Sequence, residues 1–229
     1  MTAFAFPPLD RPSLAIDGSA QRFPVRRIFC VGRNYAAHAR EMGQDPNREP
    51  PFFFTKPADA VTAGGDIAYP PLTNELHFEG ELVVAIGLAG RNIPPENATS
   101  HIWGFAPGID LTRRDLQRQA KAKGHPWDWG KAFDNSAVCG PVHRAQMVGT
   151  MQSGVIQVFV NGDLRQDSDL GQMIWPIPEV ISFLSQSVTI QPGDLVYTGT
   201  PAGVGHLAPG DTCDVRIAGL QPLGITITP

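Results

Sequence analysis

The sequence is short of several things, and each shortage excludes a class of protein. It has only three cysteines, Cys30, Cys139 and Cys213, widely spaced and without a CxxC pair. That excludes a disulfide framework and a cysteine zinc site, and it fits a reducing cytoplasm. Lysine is scarce: Lys56, Lys121, Lys123 and Lys131 stand against 14 arginines, and the 18 basic residues are outnumbered by 22 acidic ones. With no basic cluster and a net charge of -4, nucleic acid is not an expected partner. The longest uncharged apolar run, residues 82–90, falls far short of the roughly 20 residues that span a bilayer, and no basic segment followed by an apolar stretch opens the chain. The expectation is a soluble cytoplasmic protein with no membrane partner.

What the sequence does have is enough to build one sizeable core: 229 residues, 42% of them hydrophobic. Gly and Pro together make up about a fifth of the chain, which favours turns over long helices. Short β-like runs recur at 28–31, 52–55, 78–87, 103–110, 155–160, 195–198 and 212–217, separated by turn signals. Asn161-Gly162 is the strongest hairpin signal, because both residues tolerate the positive φ of a tight turn. Three helices are expected. Asn34 caps one through Met42, Thr112 caps another running to Lys123 with Gly124 as its stop, and Pro178 opens a third through Gln186. Strands outnumber helices, so the expected class is α+β, a mainly β core with short peripheral helices. Residues 1–26, rich in Pro and polar side chains, are expected to form an arm, and 27–229 a single domain.

Two carboxylates dominate the chemistry. On a strand, Glu79 and Glu81 point one way while Phe78, Leu82, Val84 and Ile86 point the other. Alone, the pair also suits a solvent-facing strand edge. Asp110 ends a strand-like run and precedes a helix, a corner at which ligands gather. Three carboxylates offer hard oxygen donors, a set suited to Mg²⁺ or Mn²⁺ rather than Zn²⁺. His77 shares their parity, but a polar neighbour is its expected role. His38 and Glu41, three apart on a short helix, can form a base and its orienter, although such pairs are common on polar helix surfaces. Arg114 and Gln117 share a helical face near Asp110 and suit a carboxylate-bearing substrate. The loop from Thr198 to Gly205 lacks both a phosphate-loop lysine and a dinucleotide fingerprint.

In this order along the chain, these motifs resemble the fumarylacetoacetate hydrolase family. The likeness is carried by Gly32-Arg33-Asn34-Tyr35 with His38, Phe54-Thr55-Lys56-Pro57, the Glu79/Glu81 pair, Gly108 to Asp115, Lys131 with Phe133-Asp134, and Gly193-Asp194 through Thr198-Gly199-Thr200-Pro201. Within the family, the stretches Arg48 to Phe54, Lys123 to Asp128 and Asp169 to Trp175 are most similar to fumarylpyruvate hydrolases of gentisate breakdown. The resemblance implies a mixed β-roll, a homodimer, and Mg²⁺ or Mn²⁺ on Glu79, Glu81 and Asp110. It implies metal-dependent cleavage of a dicarboxylic 2,4-dioxo acid, fumarylpyruvate, to fumarate and pyruvate. His38 with Glu41 would activate water, Lys131 and Gln117 would stabilise the oxyanion, Arg114 and Thr200 would hold the pyruvyl end, and Arg33 would reach the distal carboxylate. Acylpyruvate hydrolysis, oxaloacetate decarboxylation and dienoate isomerisation are alternatives on the same fold; a non-catalytic metabolite-binding protein is an alternative of another class. One departure from the family pattern is Gly80, expected to loosen the geometry between the two glutamates.

Overall fold

A computed structural model describes residues 4–41 and 49–229. Its frame is a mixed eight-stranded sheet. Along one path the strands run Phe53–Lys56, Arg27–Val31, Asp194–Tyr197, Gly80–Ile86, Ile102–Asp110, Ala137–Cys139 and Val61–Thr62, with His143–Arg144 beside Ile102–Asp110. A five-stranded sheet, ordered Asp163–Asp169, Val155–Val160, Thr212–Ile217, Leu223–Thr228 and Gly65–Ala68, packs on one face of it. Among the described residues no helix is long and apolar enough to cross a membrane.

The Gly80–Ile86 strand is buried along its whole length because both faces are covered. Leu82, Val84 and Ile86 join Ile156, Val158 and Val215 of the five-stranded sheet in one core. Val83 and Ala85 face a second core with Ile28, Cys30 and Leu195. Residues 13–24 form a hairpin whose Leu14, Ile16 and Phe23 close this second core from outside. A strand covered on both sides reads as a continuous apolar run, as 82–86 does.

Three strands leave the large sheet at one level. The run expected at 78–87 breaks at Glu79: Leu76–Phe78 pairs instead with Thr112–Arg113 and Gly205–Leu207 in a small three-stranded sheet. Its neighbours switch sheets at the same height, Ile102–Asp110 continuing into Thr112–Arg113 and Asp194–Tyr197 into Gly205–Leu207. Glu79, Asp110 and Gly199 all lie on this seam, where the Asp110 N–H donates to the Glu79 carbonyl at 2.9 Å.

The helices partly follow expectation. Gly124 ends Arg114–Lys123 in the left-handed region, at φ 65°, and Ile177–Ser187 forms where Pro178 signalled it. Thr112 is not the helix cap. It lies in a strand, and its hydroxyl accepts from Lys131 Nζ at 2.6 Å, a stronger demand than an exposed N–H would make. Asn34 does not cap Ala36–Glu41 either. Its amide donates to the Thr198 and Trp175 carbonyls, at 2.8 and 3.0 Å, and accepts from the Trp175 N–H, tying three segments together. Met42, the expected end of that helix, lies outside the described residues. Asn161 and Gly162, both at positive φ, turn the hairpin between Val155–Val160 and Asp163–Asp169 as expected.

Candidate active site

The seam brings Glu79, Glu81 and Asp110 together, each with a carboxylate oxygen within 4.8 Å of the others. None faces open solvent: their relative exposures are 7%, 1% and 0%, so the pair is not a solvated strand edge. Local structure fixes each one. Glu81 Oε2 accepts from the Gly199 N–H at 2.7 Å, and Gly199 takes φ 96° to present it. A Cβ there would come within 2.7 Å of Asn34 Cβ. Gly80 lies against the second sheet, where a Cβ would sit 2.3 Å from Val158 Cγ2. Its N–H donates to Gln166 Oε1 at 3.0 Å and its carbonyl accepts from Thr200 Oγ1 at 2.8 Å. Gly80 is therefore anchored on both sides by hydrogen bonds, and its lack of a side chain admits the second sheet.

Cations surround the carboxylates. Lys131 Nζ donates to Glu79 at 2.8 Å, Asp110 at 2.7 Å and Thr112 at 2.6 Å, while Arg114 donates to the other oxygen of Glu79. Lys56, fully buried, has its Nζ 2.8 Å from Asp110 Oδ1 but donates to the carbonyls of Leu111 and Lys131. Asp110 Oδ1 is thus buried with the Lys56 ammonium as its charged neighbour. Burial raises the proton affinity of Glu79, yet Lys131 and Arg114 outweigh it and hold the carboxyl well below the usual range. Burial, with the charges of Asp110 and Glu79, pushes Glu81 well above it. Three hard oxygen donors converging in a buried site, one of them a carboxyl short of positive charge, fit a divalent cation. His77 stays outside the triad: burial and then Arg114 lower its pKa to about 4, so it remains a neutral neighbour.

A cleft opens on Glu79 and Lys131 and is also lined by Arg33, His38, Arg114 and Gln117. His38 Nδ1 lies 3.1 Å from Glu41 Oε2, and both carboxylate oxygens of Glu41 accept from the Gly203 N–H. A carboxylate can only accept, so Nδ1 is the donor in this bond and Nε2 is the ring nitrogen turned away from Glu41. Gln117 Oε1 accepts from Arg114 Nη1 at 2.6 Å, and Arg33 lies 3.6 Å from Glu49.

A search of family models matches residues 27–228 to the C-terminal domain of fumarylacetoacetate (FAA) hydrolase. The chain belongs to the fumarylacetoacetate hydrolase family. It is 42% identical over 186 residues to a fumarylpyruvate hydrolase of a Ralstonia species, covering 81% of this chain and 96% of the relative. It is 37% identical over 203 residues to an Escherichia coli oxaloacetate tautomerase, covering 88% and 93%. Among solved structures, fumarylpyruvate hydrolase from Pseudomonas aeruginosa in complex with Mn²⁺ and pyruvate superposes with a TM-score of 0.97 at 51% identity, over 99% of each chain.

Two placements in this family member differ from simple expectation. The Thr200 hydroxyl donates to the Gly80 carbonyl and accepts from the Gln166 amide at 2.8 Å, so it is engaged behind the triad. Lys121 lines the cleft, although no motif singled it out. The signal was present: Arg114, Gln117 and Lys121 are spaced by three and four, one face of a helix.

Proposed function

We propose that the protein is a metal-dependent hydrolase that cleaves fumarylpyruvate, a 2,4-dioxo acid, to fumarate and pyruvate in gentisate-type aromatic breakdown. The observation that carries this reading is His38, paired with Glu41, lining the same cleft as Glu79 of the carboxylate triad and the cations Lys131 and Arg114. Glu79, Glu81 and Asp110 would hold Mg²⁺ or Mn²⁺, which supplies Lewis-acid charge for the keto acid end of the substrate.

His38 Nε2 takes a proton from water as the water oxygen adds to the fumaryl-side carbonyl, and Glu41 steadies the imidazolium. Collapse of the tetrahedral oxyanion breaks the C–C bond, and its electron pair leaves with the pyruvate enolate, which takes up the proton that His38 Nε2 removed from water. Lys131 turns an N–H towards the oxyanion once its carboxylate partners are otherwise compensated, and Gln117 supports it. Arg114 holds the pyruvyl end. Thr200 acts through the backbone, fixing Gly80 between the two glutamates. The reading also takes 27–229 as one catalytic domain of a cytoplasmic homodimer, with 1–26 as its arm.

Relatives named for oxaloacetate chemistry support a second reading, tautomerisation or decarboxylation at the same carboxylates. Decarboxylation needs no activated water, whereas tautomerisation needs a base for a carbon-bound proton, a role open to the same His38–Glu41 pair, so the products formed separate the readings. The discriminating experiment is turnover of fumarylpyruvate and oxaloacetate by the Mn²⁺-loaded protein and its His38→Ala variant. Hydrolysis predicts a loss of roughly 10²–10⁴-fold in kcat on fumarylpyruvate. Full activity in His38→Ala, or turnover of oxaloacetate alone, would overturn it.

A further inference from the structure

Fumarylpyruvate carries a second carboxylate at the end remote from the keto acid, and the cationic side chains of the cleft are not equally free to meet it. Lys131 is committed to Glu79, Asp110 and Thr112. Arg114 is held by Glu79 and Gln117 at the triad end of the cleft, where the hydrolase reading gives it the pyruvyl group. Arg33 already has the carboxylate of Glu49 at 3.6 Å and sits over the Phe52 ring at 5.4 Å. Lys121 is exposed to the cleft and, among the described residues, has no carboxylate within ion-pair distance.

Lys121 is nevertheless held in place. Its Nζ lies 4.7 Å from the centre of the Trp127 ring. Trp127 is fixed in turn by Phe52, edge-on at 5.4 Å, and Phe54 at 5.7 Å. A cation seated on an indole face is an oriented point charge with its remaining donors turned outward. Lys121 follows Arg114 by seven residues on the same helix, about 10 Å along the axis, a separation comparable to the span of an extended diacid of this size. Partial burial, and then Arg114 ahead of the other cations, lowers the Lys121 pKa, so an incoming carboxylate relieves repulsion among them.

We propose that Lys121, seated on Trp127, binds the distal carboxylate and so sets a preference for dicarboxylic over monocarboxylic 2,4-dioxo acids. This rests on the hydrolase reading and names the part of the substrate that the reading leaves without a partner.

The test is the ratio of kcat/KM for fumarylpyruvate to that for acetylpyruvate, which lacks the distal carboxylate, with Mn²⁺-loaded protein. Lys121→Met should lower that ratio roughly tenfold to hundredfold, the loss of one charged contact, chiefly through KM for fumarylpyruvate. Lys121→Arg, which keeps the charge, should retain most of the ratio. An unchanged ratio in Lys121→Met would overturn the assignment, as would a large fall in Arg33→Met with none in Lys121→Met. Failure of the wild-type protein to cleave either substrate would instead overturn the hydrolase reading, and this subsite with it.

Discussion

Substituting Gly80 by alanine tests whether close approach of the two sheets positions the carboxylates. An added Cβ would stand 2.3 Å from Val158 Cγ2, 3.2 Å from Gln166 Oε1 and 3.5 Å from Val215 Cγ2. Carbon atoms prefer about 3.5–4.0 Å, so the first contact overlaps by more than about 1 Å. Val158 and Val215 are both wholly buried within the core, so neither side chain has room to turn aside and the strand itself must shift. Overpacking of this kind costs about 1–3 kcal/mol, which for a chain of this size lowers Tm by roughly 2–12 °C. A shift also strains the bonds from Gly80 N–H to Gln166 and from Thr200 to the Gly80 carbonyl, which hold the backbone between Glu79 and Glu81. Disturbing groups that orient ligands typically weakens metal binding by about 10–100-fold. Thermal unfolding of the metal-free protein and calorimetric titration with Mn²⁺ measure the two effects. A Gly80→Ala variant matching the wild-type protein in both Tm and Mn²⁺ affinity would refute the reasoning.

Two further predictions follow from the charges at the site. Because Glu81 is pushed well above its ordinary value of 4.5, its proton favours the folded metal-free state. That contribution is complete below the ordinary value and is lost as pH rises through the raised one, whereas the depressed Glu79 contributes in the opposite sense, losing stability as pH falls. Mn²⁺ binding should accordingly displace protons to a greater extent as pH is lowered, read as a dependence of the calorimetric heat on buffer ionisation enthalpy that grows towards lower pH. Heats independent of the buffer would contradict it. Lys56→Met removes a fully buried ammonium from Asp110 Oδ1 and from the carbonyls of Leu111 and Lys131. Urea denaturation of the metal-free variant should show a loss of about 3–5 kcal/mol, and a loss well under 1 kcal/mol would remove Lys56 from the support of the site.

Much of the site was legible because it depends on local rules. Strand parity put Glu79 and Glu81 on one face, helical spacing paired His38 with Glu41, and Asn161-Gly162 announced its hairpin. The break at Glu79 was not legible. It arises because three neighbouring strands exchange one sheet for another at the same level, a pairing that spans more than a hundred residues of sequence. Thr112 and Asn34 do not serve as caps for a related reason, since partners distant in sequence, Lys131 and Trp175, claim their polar atoms. The close approach at Gly80 was not legible because what a glycine permits depends on what packs against it, here a valine of the opposite sheet.

The most direct test is product analysis on fumarylpyruvate with the metal content controlled. Hydrolysis at this cleft predicts fumarate and pyruvate in equal amounts from the Mn²⁺-loaded protein, loss of turnover on exhaustive chelation, and its return when Mn²⁺ is restored. Undiminished cleavage by the fully chelated protein would contradict a reaction organised by Glu79, Glu81 and Asp110. Absence of both products from the loaded protein would contradict hydrolysis itself.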